Sequence, residues 1–185
     1  MQRRIRLFAI LTGAILGTTI VAAQILPVPL PEFPRLISEP MTPVQQQILL
    51  DAHNRTRADA GVPPLVWSST LADIAQHWAD HLATSLHHLE HSHAPGLGEN
   101  LAMWTAGKKS PEQLYDLFVL EKADFSYGTF PNVSRTGDWH AVGHYTQIMW
   151  RGTTKVGCGL ATSAGDDYLV CEYVPRGNIP GREVY

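Results

Sequence analysis

Cysteine is nearly absent from this chain: there are two in 185 residues, Cys158 and Cys171. One bridge is therefore the most it can form, which excludes a disulfide-dense scaffold. Charge is sparse as well, at 17 % of residues, and no block of basic residues marks a nucleic-acid surface. No P-loop, G-x-S-x-G or dinucleotide fingerprint occurs. No serine stands in a recognisable nucleophile context, and no internal repeat is visible. Long hydrophobic runs are missing too. The longest, residues 7–20, is shorter than the ~20 residues a membrane-spanning helix needs.

What is present begins with a leader. Arg3, Arg4 and Arg6 precede that apolar run, and "VAA" at 21–23 offers small residues for cleavage. This is the pattern of a signal peptide over residues 1–23; the alternative is an uncleaved anchor. Removing its three arginines leaves 11 basic residues against 17 acidic ones, a net charge of −6. That balance argues against nucleic acid or anionic lipid headgroups as the main partner. Residues 24–42 hold five prolines, and Pro43 follows. They read as an extended spacer ahead of one domain over 43–185, a length that suits a single core.

Within that domain, residues 43–60 are expected to form a helix, with Val44, Ile48 and Ala52 as its apolar stripe and Gly61 as its stop. Leu65 and Trp67 are expected in the core. Residues 69–83 give the clearest amphipathic helix, with Leu71, Ile74, Ala75, Trp78 and Leu82 on one face and Ser69 or Thr70 as cap. Residues 84–98 are irregular. A third helix starts at Ser110-Pro111-Glu112. Its stripe runs Leu114, Leu117, Phe118 and then Glu121, a carboxylate where the pattern calls for an apolar residue. A fourth helix is expected over 138–150, with Asp138 as cap. "KVGCGLAT" and "DYLVCEYV" read as two strands around a turn at Ala164-Gly165. That turn sets Cys158 opposite Cys171, at a spacing compatible with a disulfide; two buried thiols are the alternative. Helices first and strands late make an α+β layered domain.

Nine histidines are many for this length, and six lie between 77 and 93. His77 and His81 are spaced i, i+4, as are His140 and His144. The first pair lacks the acid of an H-E-x-x-H site, and solvated surface histidines account for it. "GHYTQIMWRGT" (143–153) mixes polar and apolar residues in a way that neither a core segment nor a loop requires.

These segments carry a resemblance. "GHYTQIMWRGT" and "YLVCEYVPRGN" resemble the two signature segments of the CAP superfamily, which comprises cysteine-rich secretory proteins, antigen 5 and pathogenesis-related proteins. "LDAHNRTRADAGVPPLVWSSTLADIAQHWA", "LEHS", "GENLA" and "FVLEKADFSY" match further family motifs in order, over roughly residues 43–182. The last has Phe118 in place of the usual Trp. The resemblance implies a three-layer α-β-α sandwich with a small central antiparallel sheet, in which "GENLAM" is a strand.

It also implies a cleft that gathers two histidines and two glutamates: His91, Glu99, Glu121 and His144. His93 rivals His91, because the family's linker varies in length there. Imidazole and carboxylate suit Zn²⁺ or another divalent cation; a structural polar cluster is the bland alternative. The resemblance implies a secreted binding protein, for lipid, sterol or another extracellular ligand. A metal-assisted hydrolase using Glu99 or Glu121 as base, or an interaction module, are the rivals. The compartment is extracellular, or periplasmic in a Gram-negative host. The lack of a cysteine-rich C-terminal module disfavours a toxin role. Glu172 stands where the signature usually has a neutral or basic residue, a departure that does not disturb the cleft assignment.

Overall fold

The computed structural model describes residues 38–185. The expected leader, and the spacer up to residue 37, lie outside the described residues.

Four α-helices, α1 (Pro43–Ala58), α2 (Ser69–His81), α3 (Pro111–Leu120) and α4 (Gly143–Met149), surround a sheet of four strands. The strands are β1 (Val66–Trp67), β2 (Gly98–Thr105), β3 (Lys155–Ser163) and β4 (Asp166–Val174), in the order β1-β3-β4-β2. β2, β4 and β3 run antiparallel, as expected, and the "GENLAM" segment lies in β2. The two-residue β1 joins β3 in parallel, so the sheet is mixed. No helix among the described residues is long and apolar enough to cross a membrane.

The layers follow from the strands' alternation. One sheet face packs under α1, α3 and α4 on a core that includes Leu49, Leu114, Phe118, Ile148, Met149, Leu169 and Tyr173. The other face, with Leu101, Ala161, Tyr168 and Val170, packs on Ala75, Ala79 and Leu82. α2 can lie close on β3 because Gly157 and Gly159 face it. A Cβ at either position would overlap the α2 backbone, at Ser68–Ala72 and Ala75–Gln76 respectively.

The hairpin has the expected register. Cys158 pairs with Cys171 across β3 and β4, and the two form a disulfide. Ala164 and Gly165 both take positive φ at the turn, the conformation a tight two-residue hairpin connection uses.

Helix ends follow their sequence signals. Thr42 and Ser110 each close a capping box with the glutamine three residues on. α2 is capped one residue earlier than expected, by Ser68, and then widens into a π-turn over Leu82–Leu86.

The apolar stripe assigned to α1 needs correction. Val44 is 69 % exposed and Ile48 39 %. The buried face is Leu49, Ala52, His53 and Arg57. A stripe counted on hydrophobicity alone misses it, because two members are polar and satisfied by hydrogen bonds. Arg57 donates to the carbonyls of Pro63, Ile148, Trp150 and Thr153. His53 Nδ1 donates to Leu49 O. Leu65 is buried and Trp67 half-buried.

Candidate functional site

α3 ends where Glu121 begins a short 3₁₀ turn, Glu121–Ala123. Nearby, the chain enters α4 through a 3₁₀ turn, Trp139–Val142, and the residue preceding α4, Val142, has no side-chain cap to offer. Glu121 supplies one from the neighbouring element. Its Oε2 accepts from the backbone N–H of His144 (2.9 Å) and of Tyr145 (3.0 Å). Its Oε1 accepts from His144 Nδ1 at 2.6 Å. This explains the carboxylate in the α3 stripe: it faces a helix N-terminus, where negative charge is favoured. The His144 ring also stacks on Phe118, with centroids 4.9 Å apart.

The second pair sits on the α2 side of the sheet, since Glu99 shares its strand face with Leu101. His91 Nδ1 donates to Glu99 Oε1 at 2.5 Å, and Ser92 N donates to the same carboxylate at 3.0 Å. The His91 side chain is about half exposed, at 54 %, and that of Glu99 is buried, at 7 %. His93 takes positive φ and lies beside His91, ring centroids 6.4 Å apart; no hydrogen bond joins it to Glu99. The hydrogen bond to Glu99 raises His91 above the ordinary imidazole pKa. Burial works against the Glu99 charge, but the bonds from His91 and Ser92 outweigh it and hold Glu99 below the ordinary value.

Glu172 was not among the expected cleft residues. It stands directly across from Glu99 in the β2–β4 register and lines the same cleft. Its side chain is fully buried, and when protonated its carboxyl can donate to the Glu99 carboxylate. Burial, then the adjacent Glu99 charge, push Glu172 up to about 9. Of the two acids, Glu99 is the anion and Glu172 holds its proton. The sequence carried a signal: one acid inside the apolar run "YLVCEYV", one position from a cysteine whose register was already fixed.

His91, Glu99, His144 and Glu172 line one cleft of about 460 Å³, with Trp139 and Arg176 also on its wall. That volume lies within the range of small-molecule sites, ~300–1,000 Å³. Behind it runs a buried chain of hydrogen bonds. Tyr173 OH donates to His53 Nε2 (2.9 Å) and accepts from Asn100 Nδ2 (3.3 Å). Asn100 Nδ2 also donates to His144 O, at 3.1 Å. Burial lowers His53 to about 4, so it stays neutral and accepts. These three supporting residues were not singled out from the sequence.

The expected tetrad therefore stands as two His–Glu pairs. In each, Nδ1 is hydrogen-bonded to a carboxylate and Nε2 has no hydrogen-bond partner among the described residues, the orientation seen in metal-binding histidines with carboxylate partners behind them. Among the described residues, the one set of three donors within 4.8 Å of one another is His53 with Cys158 and Cys171. The disulfide removes those sulfurs from metal chemistry.

The fold and the segments that build this cleft match a family model, the cysteine-rich secretory protein family, over residues 50–173. The chain belongs to that family. Pathogenesis-related protein 1C of Nicotiana tabacum is 38 % identical over 141 residues, covering 76 % of this chain and 80 % of its own. The secreted protein RBT4 of Candida albicans is 36 % identical over 141 residues, 74 % of this chain and 36 % of its own. Among solved structures, the crystal structure of NaASP2 with Zn²⁺ superposes with a TM-score of 0.64 at 26 % identity. It covers 78 % of this chain and 86 % of that one. The α+β sandwich is thus shared with solved structures such as NaASP2, and His91, Glu99, Glu121, His144 and Glu172 lie within the span that the family model matches.

Proposed function

We propose that this family member is an extracellular binding protein whose cleft holds a divalent cation between His91 and His144. The observation that carries the reading is the pair of Nδ1–carboxylate bonds, which occupy one nitrogen of each of two cleft-lining imidazoles and leave the Nε2 atoms available to a cation. Imidazole nitrogen suits Zn²⁺ and its neighbours. Glu99 and Glu121 orient the rings, and water completes the coordination. The NaASP2 structure with Zn²⁺ is in keeping with this donor set, and the secreted relative favours the extracellular compartment over the periplasmic alternative. A bound cation would supply Lewis acidity and a positive charge for an anionic or polar ligand group.

The cleft's lining is about evenly polar and apolar, so it can take the polar head of a ligand with a small part of its apolar body. The separate groove beside α1, lined by Pro43, Leu50 and Trp67, has about 230 Å³, below the usual small-molecule range of ~300 Å³ upward. A lipid or sterol would therefore engage the cleft through its headgroup. A hydrolase using Glu99 or Glu121 as base has less support. Glu121 already accepts from two backbone amides and an imidazole, and Glu99 from one of each, which leaves less of either carboxylate to a water.

Calorimetric titration of the purified protein with Zn²⁺, beside a His91→Ala/His144→Ala double variant, tests the proposal. Stoichiometric binding that the variant loses is the expected result. Equal binding by both would put the cation on the other histidines. No binding by either would make the cleft a hydrogen-bonded cluster that joins the layers.

A further inference from the structure

The sequence carries two Asn-x-Ser/Thr acceptor patterns, Asn54-Arg55-Thr56 and Asn132-Val133-Ser134, and the fold treats them oppositely. Asn54 lies within α1 and its side chain is a latch. Nδ2 donates to Leu65 O (3.1 Å) while Oδ1 accepts from Leu65 N (2.7 Å), which ties α1 to the link that leads into β1. Thr56 is equally committed. Its hydroxyl donates to Ala52 O and accepts from the buried Tyr115 hydroxyl at 2.8 Å. A sugar on Asn54 Nδ2 would have to wedge between α1 and that link. Asn132 is exposed, on the irregular segment between α3 and α4. Its backbone N–H is satisfied by Thr129 O, at 2.8 Å, and no hydrogen bond engages its side chain. The fully buried Val133 anchors the chain immediately beyond it. The Ser134 hydroxyl meets only the Thr136 hydroxyl and backbone N–H, at the surface.

We infer that Asn132 is an N-glycosylation site and that the secreted, folded protein carries no glycan at Asn54. The transferred group is an oligosaccharide from a lipid-linked pyrophosphate donor. The sugar C1–O bond to the pyrophosphate breaks, a C1–N bond to Asn132 Nδ2 forms, the amide gives up one proton, and the lipid pyrophosphate leaves. Transfer occurs on the unfolded chain, so Asn54 is chemically available then. Chains modified there cannot close the Leu65 latch and are lost from the folded pool. The inference rests on the extracellular placement proposed above.

Two arms keep those readings apart. The full chain is produced in a yeast host with its own first residues, and again behind a yeast secretion leader. Secreted protein is treated with a glycosidase that converts glycosylated Asn to Asp, and both peptides are mapped by mass. In the second arm, the expected result is conversion at Asn132, unconverted Asn54, and loss of the mobility shift in both Asn132→Gln and Ser134→Ala. Secreted protein without conversion at Asn132, or folded secreted protein converted at Asn54, would overturn the assignment. Glycosylation in the second arm but not the first would refute the extracellular placement and leave the site standing.

Discussion

Replacing Glu172 with Gln should change how stability depends on pH, and in a defined direction. The folded protein raises this carboxyl from its ordinary 4.5 to about 9, through burial and the Glu99 charge. Below pH 4.5 the group is protonated in both the folded and unfolded chains and costs nothing. As pH rises, the unfolded chain releases the proton and the folded one keeps it, so the folded state loses relative stability. The decline runs at about 1.4 kcal/mol per pH unit and ends near the folded pKa. From about pH 5 to about pH 7 the loss is roughly 3 kcal/mol, a large share of a domain's stability. Gln fills the same space without ionising, so Glu172→Gln removes this slope. Urea unfolding of both proteins across that interval measures it. His53 works the other way. Its folded value of about 4 means that stability present above 6.5 is lost as pH falls, but His53 is common to both proteins and cancels in the difference. The variant should gain on the wild type by about a kcal/mol for each unit of rising pH. A difference that stays flat across the interval would refute the placement of a buried, proton-bearing carboxyl beside Glu99.

Removing the disulfide with Cys158→Ala/Cys171→Ala should cost roughly 3 kcal/mol, the value for a cross-link closing a loop of this size; an unchanged urea midpoint would contradict it. Glu121→Ala should destabilise the metal-free protein by about 1–2 kcal/mol, because it removes the cap of α4. Glu121→Gln, which keeps an acceptor, should cost less. If Glu121 mattered only as a metal ligand, the metal-free alanine variant would melt with the wild type.

Much of the fold was legible because local rules and tertiary needs coincide. The hairpin register follows from its turn, and the disulfide follows from the register. The start of α3 follows from Ser110 and the Pro111-Glu112 after it, whereas α2 is capped by Ser68 and not by the expected Ser69 or Thr70. Legibility failed at α1, where Arg57 and His53 are buried with their hydrogen bonds satisfied across the molecule, at Ile148, Trp150 and Tyr173. No periodicity count contains that information, since the partners are about a hundred residues away in sequence. The brevity of β1 has a similar origin. It is defined by two residues beside β3, and "LVW" alone does not tell a strand from an extended link.

The site divides along the same line. His144 and Glu121 could be suspected from their own neighbours, a polar residue beside an apolar helix face and an acid in an apolar stripe. His91 and Glu99 needed family motifs, because nothing local distinguishes them from the other exposed histidines and acids. Glu172 stands out in the sequence as a departure from the signature, but its place opposite Glu99 depends on the β2–β4 register, which the sequence alone does not set. Its consequence is electrostatic. With Glu172 protonated, the β2–β4 pair carries one negative charge instead of two, so Glu99 can remain an anion and orient the His91 ring through Nδ1. Ionising Glu172 as well would place two like charges side by side in a buried strand pair, and only a cation brought close would offset that. The charge state of the cleft is therefore set jointly by Glu99 and Glu172, and both must be read together to predict which ligands the cleft accepts.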